Sequence, residues 1–157
     1  MSTRSRIGVE EEDGTIRSVY CHFDGYPSGV GATLLKAYMD PQKVRDLISQ
    51  GGISSLGEEI GGKHAFPGDR VLSTPSTGLE SLQALKAARW TTFYHRDRDE
   101  DLLIQTNPSR KEFKIGAFDS WEEYTYLFVV AKGHWLYTPR GKKNFVKLTE
   151  KTCSGDK

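Results

Sequence analysis

The sequence predicts an α+β domain: an antiparallel sheet, made of two hairpins plus a middle strand, with two helices packed on one face. Three observations carry this. An Asp-Gly turn at Asp13-Gly14 separates two short alternating runs; a Lys-Gly turn at Lys132-Gly133 separates two aromatic, β-branched runs; and between them lie two segments of helical periodicity. At 157 residues the chain is read as one domain, 1–157, long enough to bury a continuous core.

Taken in order, Arg4–Val9 reads as a strand, Glu11–Gly14 as the turn, and 15–23 as the returning strand. Val30, Leu34, Leu35 and Tyr38 recur at helical spacing, so 29–39 is a helix with Ser28 as its N-cap. Asp40-Pro41 then starts a second helix, 41–50, with a Val44, Leu47, Ile48 stripe ending at Gly51-Gly52. From 51 to 78 glycine, serine and proline replace periodicity, which predicts a long surface loop with Ile53, Leu56 and Ile60 pinned to the core. Leu79–Ala88 is a weak helix and Trp90–His95 a strand; Asn107-Pro108-Ser109 is a turn, with a short strand near Phe113–Ile115. Ser120–Glu123 reads as a helical turn, Tyr124–Ala131 as the clearest strand, and His134–Tyr137 as its partner. A short strand at Phe145-Val146 precedes a frayed basic tail over about 140–157.

Composition bounds the function. A formal net charge of +1 gives no basic excess for duplex nucleic acid, so nucleic acid is not the expected partner. No run approaches the ~20 apolar residues of a membrane span, and the amino terminus is polar, which reads as cytoplasmic with no membrane partner. Cys21 and Cys153 form neither a disulfide framework nor a metal cluster and are read as free thiols, with Cys21 on the opposite strand face from His22. No cofactor motif is present: the glycines at 25–31 lack dinucleotide spacing and Gly51–Gly57 lacks the Gly-Lys-Ser/Thr ending of a P-loop.

Chemistry concentrates at 20–31. Tyr20, His22 and Asp24 share one strand face, and Pro27, Gly29 and Gly31 follow. The same His-x-Asp pattern recurs at His95 and Asp97. Three readings stay open: each Asp caps a turn while each His packs at the sheet margin; the residues recognise a phosphate-bearing ligand; or His22, Asp24, His95, Asp97 and Asp99 build a hydrolytic metal site. The ligand reading assigns Tyr20 and Tyr94 to base packing; His22, His95, Arg96 and Arg98 to phosphate or ribose; and Ser28, Gly29, Ser54 and Ser55 to anion contacts, with Asp24 beside them. The tyrosines of 124–130 and both Trp121 and Trp135 are read as core, and His64 and His134 receive no role.

The strings Val19–Pro27, Gly31–Leu35, Ile53–Gly57 and Tyr94–Arg98 resemble small, largely uncharacterised accessory proteins encoded by tailed bacteriophages. The resemblance covers 4–61 well and 92–99 and 119–138 more loosely. It implies a protein made in the cytoplasm of an infected bacterium, acting against host defence. The expected function is non-enzymatic sequestration of a small immune nucleotide signal, with oligomerisation as one way to complete the site. A metal-dependent phosphodiesterase or nuclease and an inhibitor that binds a host defence protein are the alternatives.

Overall fold

The computed structural model describes residues 3–63, 90–113, 122–139 and 144–155. The first hairpin is present: β1 (Ser5–Glu10) and β2 (Ile16–Cys21) run antiparallel, with Ile7 opposite Val19. Its turn closes through Gly14 N–H to the Glu11 carbonyl, and Gly14 takes a φ of +92° that suits glycine. The second hairpin is β6 (Tyr124–Val129) and β7 (His134–Thr138), numbered in chain order after β3 (Ile53–Ser55), β4 (Thr92–Phe93) and β5 (Gln105–Asn107). The two hairpins join through a parallel pairing of β1 with β6, Ile7 opposite Tyr126. Sheet order is β4-β3-β2-β1-β6-β7-β8, where β8 is Val146–Lys147. The outer edge of β2 is divided: Cys21 pairs with Ile53 of β3 at one end, and Ile16–Ser18 pair with β5 at the other.

The helices cover one face, as expected. A π-helical turn (Pro27–Gly31) leads into α1 (Ala32–Ala37), and α2 (Pro41–Ser49) follows. Val30, Leu34, Tyr38, Val44, Leu47 and Ile48 are buried against Ile7, Val19, Tyr126, Phe128 and Trp135. Full burial of each such aliphatic side chain contributes about 1.5–3 kcal/mol, so this layer holds the sheet flat against the helices. Polar atoms within it are matched. Trp135 Nε1 donates to the Tyr38 carbonyl at 2.9 Å, and the Tyr38 hydroxyl donates to the Gly57 carbonyl at 2.6 Å. The opposite face carries a smaller cluster of Ile16, Leu127 and Phe113, with Phe145 half-buried beside it.

Several expectations are corrected. The segment after Gly52 is not loop from its start: Ile53–Ser55 is a strand, with Ile53 fully buried and Leu56 and Ile60 partly buried. The Trp90–His95 strand stops at Phe93, and Tyr94–Arg98 is the short helix α3. The cause is local. The Asp97 carboxylate reaches back to the Phe93 N–H at 2.8 Å and satisfies an amide at the helix start. Residues 110–113 are helical, with Phe113 N–H donating to the Ser109 carbonyl at 3.1 Å and the Ser109 hydroxyl bonded to Glu112; Lys114 and Ile115 of the expected strand lie outside the described residues. The tail is not wholly frayed: Thr149 caps α4 (Glu150–Gly155) by accepting the Thr152 N–H at 3.2 Å, which buries Cys153 on α1. Ser28 does not cap α1, since the π-helical turn precedes that helix, and Asp40 precedes α2 without a side-chain cap bond. The expected helix at 79–88, the remainder of the 51–78 loop beyond 63, His64, Trp121, Arg140, Lys142 and Lys143 lie outside the described residues.

Candidate functional site

The site lies on the sheet face opposite α1 and α2, where β2 runs out past its last paired residue. His22 N–H donates to the Ile53 carbonyl at 2.9 Å and Phe23 N–H to the Ser54 carbonyl at 3.0 Å, so the β2–β3 ladder carries His22 alongside Ser54. Tyr94 N–H donates to the Gly52 carbonyl, which places the start of α3 against the same edge. The result is a cavity of about 480 Å³ lined by His22, Phe23, Asp24, Ser54, Ser55, Tyr94 and Arg98. Three chain segments meet here. Backbone hydrogen bonds, not loop conformation, fix their relation.

The polar groups are oriented. Tyr20 Oη lies 2.6 Å from His22 Nδ1, and Arg4 donates to the same phenol oxygen. Either the phenol or Nδ1–H can donate across this contact, according to the imidazole tautomer. Burial, joined by the positive field of Arg4, lowers the His22 pKa below its ordinary value. Burial also raises the Tyr20 phenol, against the effect of Arg4, and raises the Tyr94 phenol, against a hydrogen bond from Ser54. At neutral pH the cavity thus presents a neutral imidazole, the protonated Tyr94 phenol, Ser55 and the exposed Arg98, with the protonated Tyr20 phenol behind His22. Asp24 sits at the rim with φ +57°, its Oδ1 accepting from the Tyr26 hydroxyl at 3.0 Å.

Of the residues singled out by sequence, His22, Asp24, Ser54, Ser55, Tyr94 and Arg98 come together, and Tyr20 joins through His22. Others do not. Arg96 turns away: Nη1 donates to the Ile60 and Gly61 carbonyls, Nη2 to the Thr91 carbonyl, and the guanidinium forks onto Asp97 at 3.0 and 3.1 Å. His95 Nδ1 faces the Glu100 carbonyl at 2.8 Å and closes the end of α3. Gly29 N–H is bonded to the Tyr26 carbonyl, and exposed Ser28 stands outside the cavity, so the π-helical turn is not an anion cradle. The five-residue metal set is likewise dispersed. Asp97 is buried against Arg96, His95 faces a carbonyl, Asp99 is 89% exposed, and no metal-competent group of three or more donors occurs among the described residues.

Sequence reading missed Arg4 and Arg6. Arg6 pairs with Tyr20 across the hairpin, and the same register continued two residues further sets Arg4 opposite His22. The Asp13-Gly14 turn was the signal, since locating a hairpin turn fixes which residues face each other. Cys21 points to the other face, where complete burial raises its thiol to about 12 and removes it from nucleophilic chemistry.

Comparisons with protein-family models, curated proteins and solved structures give no match. No helix among the described residues is long and apolar enough to cross a membrane.

Proposed function

We propose that this protein captures a small phosphate-bearing ligand of the nucleotide class and releases it chemically unchanged. The observation that carries the reading is that His22, Ser55 and Arg98 line one cavity together with Tyr94. Those donors suit phosphate oxygens, Asp24 suits a ribose hydroxyl, and the tyrosine supplies a stacking face. The phage resemblance supports a host immune nucleotide as the signal captured, in the infected cell. The Cys21 thiol, fully buried on the other face, takes no part in this reading.

Thermal denaturation against cyclic dinucleotides, cyclic oligonucleotides and ADP-ribose derivatives tests this. A ligand at 100 times its Kd should stabilise the fold by about 2.7 kcal/mol, a rise of several degrees, and should be recovered intact. Arg98→Gln and His22→Gln should each weaken binding about tenfold without lowering the melting temperature of the free protein. Unchanged binding in both variants would refute the assignment.

The pH dependence follows from His22. Its pKa is depressed in the free protein, and a bound phosphodiester raises it, so the complex takes up a proton. Affinity should therefore rise as pH falls from 8 through the ordinary histidine range of about 6.5. Calorimetric titration of wild type and His22→Gln reads this directly. A flat profile in wild type removes His22 from the phosphate contact.

A further inference from the structure

Tyr94 is a wall of two cavities. The second, of about 540 Å³, is lined by Arg6, Tyr20, Gly52, Tyr94 and the 100–105 loop. Its position follows from the divided edge of β2: β3 occupies one end, β5 the other, and the gap between them is roofed by the chain running from α3 to β5. Glycines shape its floor. Gly51 holds a φ of +85°, and a Cβ there would meet the Leu102 side chain at 2.7 Å, while one on Gly52 would sit in ordinary contact with the Tyr94 ring at 3.4 Å. The left-handed backbone at Gly51 is the position here that calls for glycine.

The lining divides by chemistry. Tyr20, Tyr94 and the half-exposed Leu102 offer flat or apolar surface, and the exposed acidic residues Glu100 and Asp101 share the lining. Arg6 contributes no charge for an anion here, because its Nε is held by Glu122 at 2.7 Å and its Nη1 by Ser18 at 3.2 Å. An aromatic slot with acceptors in its lining selects a planar ring whose edge carries N–H donors. Guanine presents two adjacent donors, N1–H and the 2-amino group, that one carboxylate accepts together; adenine presents an amino donor beside an acceptor nitrogen, and uracil a single N–H between carbonyls.

We propose that this cavity is a guanine subsite. It rests on the phosphate reading above for the other half of the ligand, so that one guanine nucleotide lies across Tyr94 with its phosphate at His22 and Arg98 and its base between Tyr20 and the 100–105 loop. Calorimetric titration of the full chain with GMP, AMP, UMP, guanosine and inorganic phosphate tests it, alongside the Glu100→Gln/Asp101→Asn double variant, whose changes fall on exposed loop positions. The expected result is GMP binding about tenfold tighter than AMP or UMP, with that ratio collapsing towards one in the double variant while AMP binding persists. Equal affinities for the three nucleotides in the wild type would overturn the guanine subsite and leave the phosphate site standing. Guanosine binding that the double variant abolishes, with no response to phosphate or AMP, would uphold the subsite and refute the phosphate reading. Absence of binding by every probe overturns both.

Discussion

Arg96→Ala is expected to destabilise the protein by about 3–5 kcal/mol, the cost of removing one partner from a buried ion pair. The Asp97 side chain is fully buried, and its carboxylate faces the Arg96 guanidinium through both oxygens while also accepting the Phe93 N–H. Alanine would leave that charge buried beside a vacated space. The same substitution removes three further bonds, to the carbonyls of Ile60, Gly61 and Thr91, which tie the chain after β3 to the chain before β4. The guanidinium also lies 4.6 Å from the Phe93 ring centroid. Lysine should recover little, because a single ammonium cannot reproduce a planar fork serving a carboxylate and three carbonyls. Urea denaturation of wild type, Arg96→Ala and Arg96→Lys measures the effect. A loss below about 1 kcal/mol for alanine would show that the pair is not structural. In ligand assays, reduced binding by this variant would report lost structure, so Arg98 is the informative arginine.

The contrast between Arg96 and Arg98 shows where sequence reasoning reaches its limit. Both stand beside a His-x-Asp motif, and a strand would place them on one face. The helix that replaces the strand sends one inward and the other to the cavity, and that switch depends on a four-residue reach from Asp97 back to Phe93. Hairpins and amphipathic helices were legible because their signals are periodic over six to nine residues. α3 spans five residues and α4 six, and side-chain caps at Asp97 and Thr149 decide them where no apolar stripe marks them in the sequence. Of the site, the β2 part was legible from strand alternation. Its meeting with Ser54, Ser55 and Tyr94 depends on the parallel β2–β3 contact, a long-range pairing that leaves no local trace.

The glycines of the π-helical turn give the second large effect, and they bear on how the site is supported. A Cβ at Gly29 would come within 2.4 Å of the Asp24 carbonyl oxygen and 3.0 Å of the Asp24 Cβ. That carbonyl cannot retreat without giving up the Val30 N–H it accepts at 2.8 Å, the bond that folds the turn back onto the end of the site strand. Asp24 already holds a left-handed φ of +57°, a conformation that aspartate adopts more readily than most residues but still at some cost. Gly29→Ala is therefore expected to cost about 1–3 kcal/mol through overpacking and to displace Asp24 from the cavity rim. Ser28→Ala, at an exposed neighbouring position, should change neither stability nor binding. Chemical denaturation and nucleotide titration of the two variants separate a bracing role for this turn from a binding one. Loss of stability and of affinity together in Gly29→Ala, with Ser28→Ala silent, makes the turn a brace for Asp24. A Gly29→Ala protein that is fully stable but binds poorly would instead place the ligand on the turn's own amides and refute the bracing role.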